Sequence, residues 1–349
     1  VIDVLVAGGG PAGLATAICC ARAGLSVTVA EPRTVPVDKA CGEGLMPSAV
    51  RRLAALGVRP EGHPLRGIRY LDSGHGADAL FRGDGGLGVR RTALHAALSA
   101  RAADLGIAMV PVRVTGFCQY DDHVTARGGT GADANGFDAR YLVAADGLHS
   151  SVRRDCGLDP PPARHRRYGL RRHYLMAPWT DLVEVHWTAH AEAYVTPVAD
   201  DLIGVAILAS PARGGFESRL AAFPALRERL AGVAAASEAR GAGPLRQNVR
   251  RRVCGRILLA GDAAGYLDAL TGEGIGAALA QAEALAACLA RDRPGDYEHA
   301  WRRVTRKSRA LTSGLLWTRH QQFLASRIVP AASRLPWLFT AIVNQVGAA

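Results

Sequence analysis

Gly8, Gly10 and Gly13 fall in the spacing G-x-G-x-x-G, with Pro11 and Ala12 between the last two, and the acid Glu31 follows one helix and one strand later. This set of residues suits phosphate and ribose recognition. Gly8 permits a tight turn, Gly10 lets the backbone approach a pyrophosphate, and Gly13 lets a helix lie close against a strand. Unpaired N–H groups at the helix start attract the phosphates. Glu31 is positioned to accept from ribose hydroxyls. Two more acid–glycine pairs, Asp146-Gly147 and Gly261-Asp262, each follow an apolar run, at 141–145 and 256–260. A third glycine-rich segment, Thr271-Gly272-Glu273-Gly274-Ile275-Gly276, opens an alanine-rich stretch reaching to about 290.

The elements that must position these residues can be read from the pattern. Residues 1–7 form a short aliphatic run, as a buried parallel strand requires. A helix is expected from about 12 to 23, with Gly24 placed to end it, and a second strand over 25–30 that delivers Glu31. Short alternating or apolar runs at 171–175, 182–188, 193–198 and 202–208 predict an antiparallel sheet. The 128–136 stretch, rich in glycine, predicts an exposed hairpin loop.

With the three motifs in this order, the chain resembles the family of p-hydroxybenzoate hydroxylase and geranylgeranyl reductase, flavoproteins with a single nucleotide-binding domain. The resemblance implies an α/β fold: a Rossmann-type FAD-binding domain assembled from 1–155 and 245–295, an antiparallel-sheet substrate domain over 156–244, and a C-terminal helical segment over 296–349. It implies FAD as cofactor and NAD(P)H as reductant, the latter docking without a G-x-G-x-x-G domain of its own. It further implies that Asp262 binds the ribityl chain and that the Asp146-Gly147 turn contacts FAD and the nicotinamide route. Arg91, which begins Arg-x-x-Leu-x-x-x-Leu, is similar to the family arginine near the pyrophosphate; the other reading is a solvated cation at a helix start. The helix N-terminus at Gly272, Gly274 and Ile275 would stabilise negative charge developing on a reduced flavin. Cys41-Gly42-Glu43-Gly44 resembles the Cys-Gly-Gly segment of the reductase branch, with Glu43 replacing a glycine. Cys41 is read either as a flavin neighbour or as a small buried residue. Ala269 stands where relatives carry proline.

Two reactions and one non-catalytic role are consistent with these residues. The leading expectation is an NAD(P)H-dependent monooxygenase that hydroxylates a hydrophobic, aromatic or polyketide-like small molecule with O2. His186, Trp187, Tyr194 and Pro197 are the pocket candidates, and catalytic residues are not assigned. The alternative is a reductase of isoprenoid double bonds, suggested by the Cys-Gly and Thr-Gly-Glu-Gly-Ile segments. The third is a flavin-binding protein without turnover. The 194–197 stretch lacks the Trp-x-Trp-x-Ile-Pro signature of flavin halogenases.

The net charge of +11 suggests nucleic acid only until its make-up is examined. Lys39 and Lys307 are the two lysines, so the excess is arginine in a chain with 40 glycines, a composition bias with no basic–aromatic stripe; no nucleic-acid partner is expected. Seven cysteines without a C-x-x-C spacing indicate neither a disulfide framework nor a metal site, and reduced thiols lead to a cytoplasmic expectation. With the first strand beginning at residue 1, no signal peptide is expected, and no apolar run approaches the roughly 20 residues that span a bilayer. After Glu298 the chain has no acidic residue, while Arg302, Arg303, Arg306, Lys307 and Arg309 precede apolar residues such as Trp317, Phe323 and Trp337. Such a tail either lies on a membrane surface or covers the substrate domain as packed helices.

Overall fold

Val4, Leu5 and Val6 are fully buried at the centre of the strand Ile2–Ala7, as expected of a strand covered on both faces. The computed structural model describes residues 1–129, 135–159, 161, 166–210 and 214–347. Ile2–Ala7 pairs in parallel with Asn135–Ala144 on one side and Val27–Ala30 on the other. Ile257–Leu259 and Ala108–Val110 extend this parallel sheet, and Val253–Cys254 closes one edge antiparallel. The helices Pro11–Arg22 and Gly274–Leu289 pack together, their small residues allowing close approach. Residues 130–134, most of the expected hairpin loop, lie outside the described residues; the flanking strands Val124–Gly128 and Asn135–Ala144 pair antiparallel.

A second sheet has seven strands, in the order Arg240–Ala242, Tyr168–Leu175, Leu202–Ala209, Ala191–Ala199, Leu182–Trp187, Gly67–Leu71 and Gly76–Leu80. It is antiparallel except where Leu182–Trp187 meets Gly67–Leu71. One face, with Ala193, Val195, Ile203, Val205 and Ile207, is sealed by Phe216, Leu220, Phe223 and Leu226. The other face, with Val185, Tyr194, Ala206 and Leu208, looks toward Leu270 and the C-terminal Leu316. The chain therefore has the mixed α/β fold expected of it, with helices Tyr297–His320, Gln322–Ala325, Ile328–Arg334 and Pro336–Gly347 at its C-terminal end. Among the described residues no helix is long and apolar enough to cross a membrane.

Candidate functional site

The glycine motif is locked by backbone packing. Gly8 lies at φ +105°, and a Cβ there would sit 2.6 Å from the Ala145 carbonyl oxygen. A Cβ on Gly13 would overlap the Gly8 carbonyl oxygen. Gly10 differs: the nearest atom to its Cβ position is Arg91 Nη2, at 3.8 Å, so space remains beside this backbone. Arg91 is buried at the first position of the helix Arg91–Asp104, and its Nη1 has no hydrogen-bond partner. Burial lowers the pKa of this guanidinium, the cost of holding a cation where an anion is wanted. His95, for which the sequence offered no signal, contacts the Gly9 carbonyl oxygen at 2.8 Å through Nε2 and steadies the loop.

Glu31 is buried and more heavily engaged than expected. Its Oε2 accepts from the Gly9 N–H at 2.9 Å and Arg33 Nη2 at 2.8 Å. Its Oε1 accepts from the Arg33 N–H at 3.0 Å and Arg33 Nε at 2.7 Å. These four bonds fill a carboxylate's usual capacity, so a ribose hydroxyl would have to displace Arg33. Asp146 uses Oδ2 to accept from the N–H groups of Ser151 and Val152 at 2.9 and 3.4 Å, while its Oδ1 is buried without a partner. Asp262 lies 3.5 Å from Lys39 Nζ, a pairing across the chain that no local motif announces.

Gly10, Pro11, Ala12, Cys41, Gly42 and Arg91 line a cavity of about 750 Å³, whereas Gly8, Gly13 and Glu31, also expected at the cofactor, are not among its lining residues. Asp146, Gly147, Gly261, Asp262, Gly272 and Ile275 line it as well, with Gly274. The open backbone at Gly10 and the orphaned guanidinium of Arg91 fit the phosphates of a dinucleotide cofactor such as FAD.

The second sheet supplies the apolar part of the wall. Val183, Val185, Tyr194, Thr196, Ala206 and Leu208 line the cavity, joined by Leu311, Leu315, Phe339 and Val343 from the C-terminal helices. Of the four pocket candidates only Tyr194 is among the lining residues; its hydroxyl donates to the Leu270 carbonyl oxygen at 3.0 Å, and burial raises its pKa. His186 and Pro197 belong to the opposite face by strand alternation, and His186 pairs with Glu184 at 3.3 Å. Trp187 is packed against Tyr70, ring centroids 5.2 Å apart.

Glu43, the residue in a glycine's place, adopts φ +61° and is buried. Its Oε1 accepts from the Arg91 N–H at 2.8 Å, and its Oε2 lies 2.6 Å from His173 Nε2. Arg171 Nη1 lies 3.1 Å from His173 Nδ1. A guanidinium can only donate, so Nδ1 is the acceptor and Nε2–H donates to Glu43. Arg171 also pairs with Asp38 and lies 3.9 Å from Glu43 Oε1. Thr196 donates to the Gly42 carbonyl oxygen at 2.8 Å, tying the sheet to this loop. Burial, and then the Glu43 carboxylate, push the Cys41 thiol up from its ordinary value. On the far side, burial raises Glu273 to about 7, and its Oε2 has no partner.

Residues 1–299 match the FAD binding domain family. A menaquinone reductase of Mycolicibacterium smegmatis is 30% identical over 86% of this chain and 79% of its own length. A digeranylgeranylglycerophospholipid reductase of Methanopyrus kandleri is 28% identical over 79% of this chain and 77% of its own. Other relatives are named as monooxygenases. The crystal structure of a flavoprotein/dehydrogenase from Cytophaga hutchinsonii shares the fold, with a TM-score of 0.86, 19% identity, and 99% and 92% of the two chains covered. The chain belongs to the FAD binding domain family and is an FAD-dependent oxidoreductase.

Proposed function

We propose that this chain uses FAD to saturate carbon–carbon double bonds in the prenyl chain of a lipid, with a dihydronicotinamide as reductant. The apolar wall carries this reading. Ile68, Val183, Val185, Leu208, Leu315 and Phe339 line the cavity, and the hydroxyls of Tyr194 and Thr196 are engaged by backbone carbonyls. A prenyl chain is recognised by shape and apolar contact, whereas a small aromatic acid needs fixed polar partners. Menaquinone and digeranylgeranylglycerophospholipid, named in two relatives, both carry prenyl chains, which supports the same reading.

In this reading Arg91 would hold the pyrophosphate, Asp262 would hold the ribityl chain, and the backbone at Gly272, Gly274 and Ile275 would meet the flavin. FAD, when bound, supplies hydride chemistry. The other alkene carbon must take a proton as the hydride adds. We assign its delivery to the thiol of Cys41, a cavity-lining residue kept in the protonated form by burial, whose thiolate regains a proton from water after product leaves.

The test is anaerobic incubation of FAD-loaded protein with NADPH and menaquinone, followed by air. Air returns any quinol to quinone, so a gain of two hydrogens that survives it reports saturation of the prenyl chain. Cys41→Ser is expected to slow turnover about a hundredfold with flavin content unchanged. Reduction confined to the ring would defeat the proposal. Incorporation of an oxygen atom would restore the hydroxylation expected first from the sequence.

A further inference from the structure

The helix Pro336–Gly347 contains no charged residue and is apolar on two sides. Its inner side is accounted for: Phe339 and Val343 are buried with Ala77, Ala79 and Ala332, and Phe339 packs on Tyr70 with ring centroids 4.6 Å apart. Its outer side is not. Trp337 is 69% exposed, Ile342 43% and Leu338 39%, and the spacing of 337, 338, 341 and 342 gathers these residues on one helical face with Ala341. Gln345, also exposed, is a polar residue on this same face, and an uncharged helix with two apolar sides ordinarily buries both. Asn344 donates to the Leu80 carbonyl oxygen at 2.9 Å, which sets Leu80, 50% exposed, beside this helix. Two more large apolar side chains, Phe323 and Trp317, are exposed on the preceding helices.

The charge of the C-terminal segment itself has one sign, and Asp78, on the exposed side of the adjoining strand with Leu80, is paired with Arg69. After Glu298 the sequence holds no acid, while Arg327 and Arg334 are exposed and enter no ion pair among the described residues. The Arg327 guanidinium lies over the Phe323 ring, 4.1 Å from its centroid. Exposed tryptophan and leucine beside unpaired arginine match the interface of an anionic bilayer, where apolar groups enter the acyl boundary and cations meet the headgroups. The same helix also borders the cavity. Phe339 and Val343 line it from the inner side, and Ile342 both lines it and reaches solvent.

We propose that the outer face of Pro336–Gly347 docks on an anionic lipid membrane, and that the cavity takes its occupant from the bilayer past Ile342. The docking rests on the exposed face alone; the route past Ile342 rests on the prenyl-lipid reading above. The two fail separately, because vesicle binding is measured without turnover.

The test uses FAD-loaded protein and sucrose-filled vesicles of phosphatidylcholine, with and without phosphatidylglycerol, read by co-sedimentation. Quenching of tryptophan emission by brominated acyl chains reports insertion. Binding to the anionic vesicles is expected, weakened by salt and reduced at least about tenfold by Trp337→Glu combined with Ile342→Glu. Leu175→Glu, at an exposed leucine of the second sheet, is the control and is expected to bind like the parent. Absence of binding by the parent, or equal binding by all three proteins, overturns the proposal. So does a dimer in sedimentation velocity that Trp337→Glu dissociates, since a second copy would then cover the face.

Discussion

Replacing Glu43 with glycine sets two effects of opposite sign against each other, and the structure says which wins. Glu43 sits at φ +61°, a conformation that costs a residue with a side chain about 1–2 kcal/mol and that glycine adopts freely. The substitution also removes the acceptor of the buried His173 Nε2–H and the carboxylate beside Arg171, leaving that guanidinium to Asp38 and the Lys39 carbonyl. Breaking a buried charged contact costs about 3–5 kcal/mol. The net expectation for Glu43→Gly is a loss of about 2–3 kcal/mol. Unfolding entropy of about 2.1 cal/mol/K per residue converts this to a Tm lower by about 3–4 °C. Glu43→Gln keeps an acceptor for His173 but loses the charge, so its cost is expected near 1–2 kcal/mol, about half as large. The assay is thermal unfolding of the FAD-loaded proteins, with flavin content measured in parallel. A Glu43→Gly protein as stable as the parent, or more stable, would refute the stabilising role of the buried cluster and show that relief of backbone strain outweighs it.

Gly13→Ala is expected to abolish flavin binding, since its Cβ would overlap the Gly8 carbonyl oxygen; bound flavin absorbance per protein reads the outcome. Gly24→Ala, at φ +84° with no neighbouring atom in the way, is expected to cost about 1 kcal/mol and to retain the flavin. Glu273 has its folded pKa raised from 4.5 to about 7, so the folded state holds its proton more tightly than the unfolded state. Stability should therefore fall as pH rises from 4.5 through about 7, by up to about 3 kcal/mol. Glu273→Gln is expected to remove the part of that slope nearest pH 7, measured as Tm against pH, leaving the part below about pH 6 that buried Asp268, raised to about 6, contributes; an unchanged slope up to pH 7 would place the titration elsewhere.

The cofactor frame was legible because each motif carries its geometry within a few consecutive residues. The turn at Gly8, the helix beginning at Pro11 and the strand that delivers Glu31 are local consequences of residue type. The pocket wall was not. His186 and Pro197 each stand one residue from cavity-lining Val185 and Thr196, and in a strand one residue exchanges the faces. Long-range pairs such as Glu43 with His173 and Lys39 with Asp262 left no signal within reach of a spacing argument. The strand Gly76–Leu80, built of glycine, alanine, aspartate and leucine, lacks the β-branched and aromatic residues by which strands are found, although its burial alternates. The tail's lack of acids was plain in the sequence, but the exposure of Trp337 opposite the buried Phe339 required the packing.

The most direct test of the central claim is a single turnover in D2O under nitrogen. FAD-loaded protein, photoreduced in D2O, is mixed with a prenylated quinone, and the quinone is recovered after air oxidation. The account predicts two deuterium atoms on adjacent carbons of the prenyl chain, one delivered as hydride and one as the solvent-exchanged proton. A prenyl chain recovered without deuterium, while the protein returns to its oxidised spectrum, would contradict it.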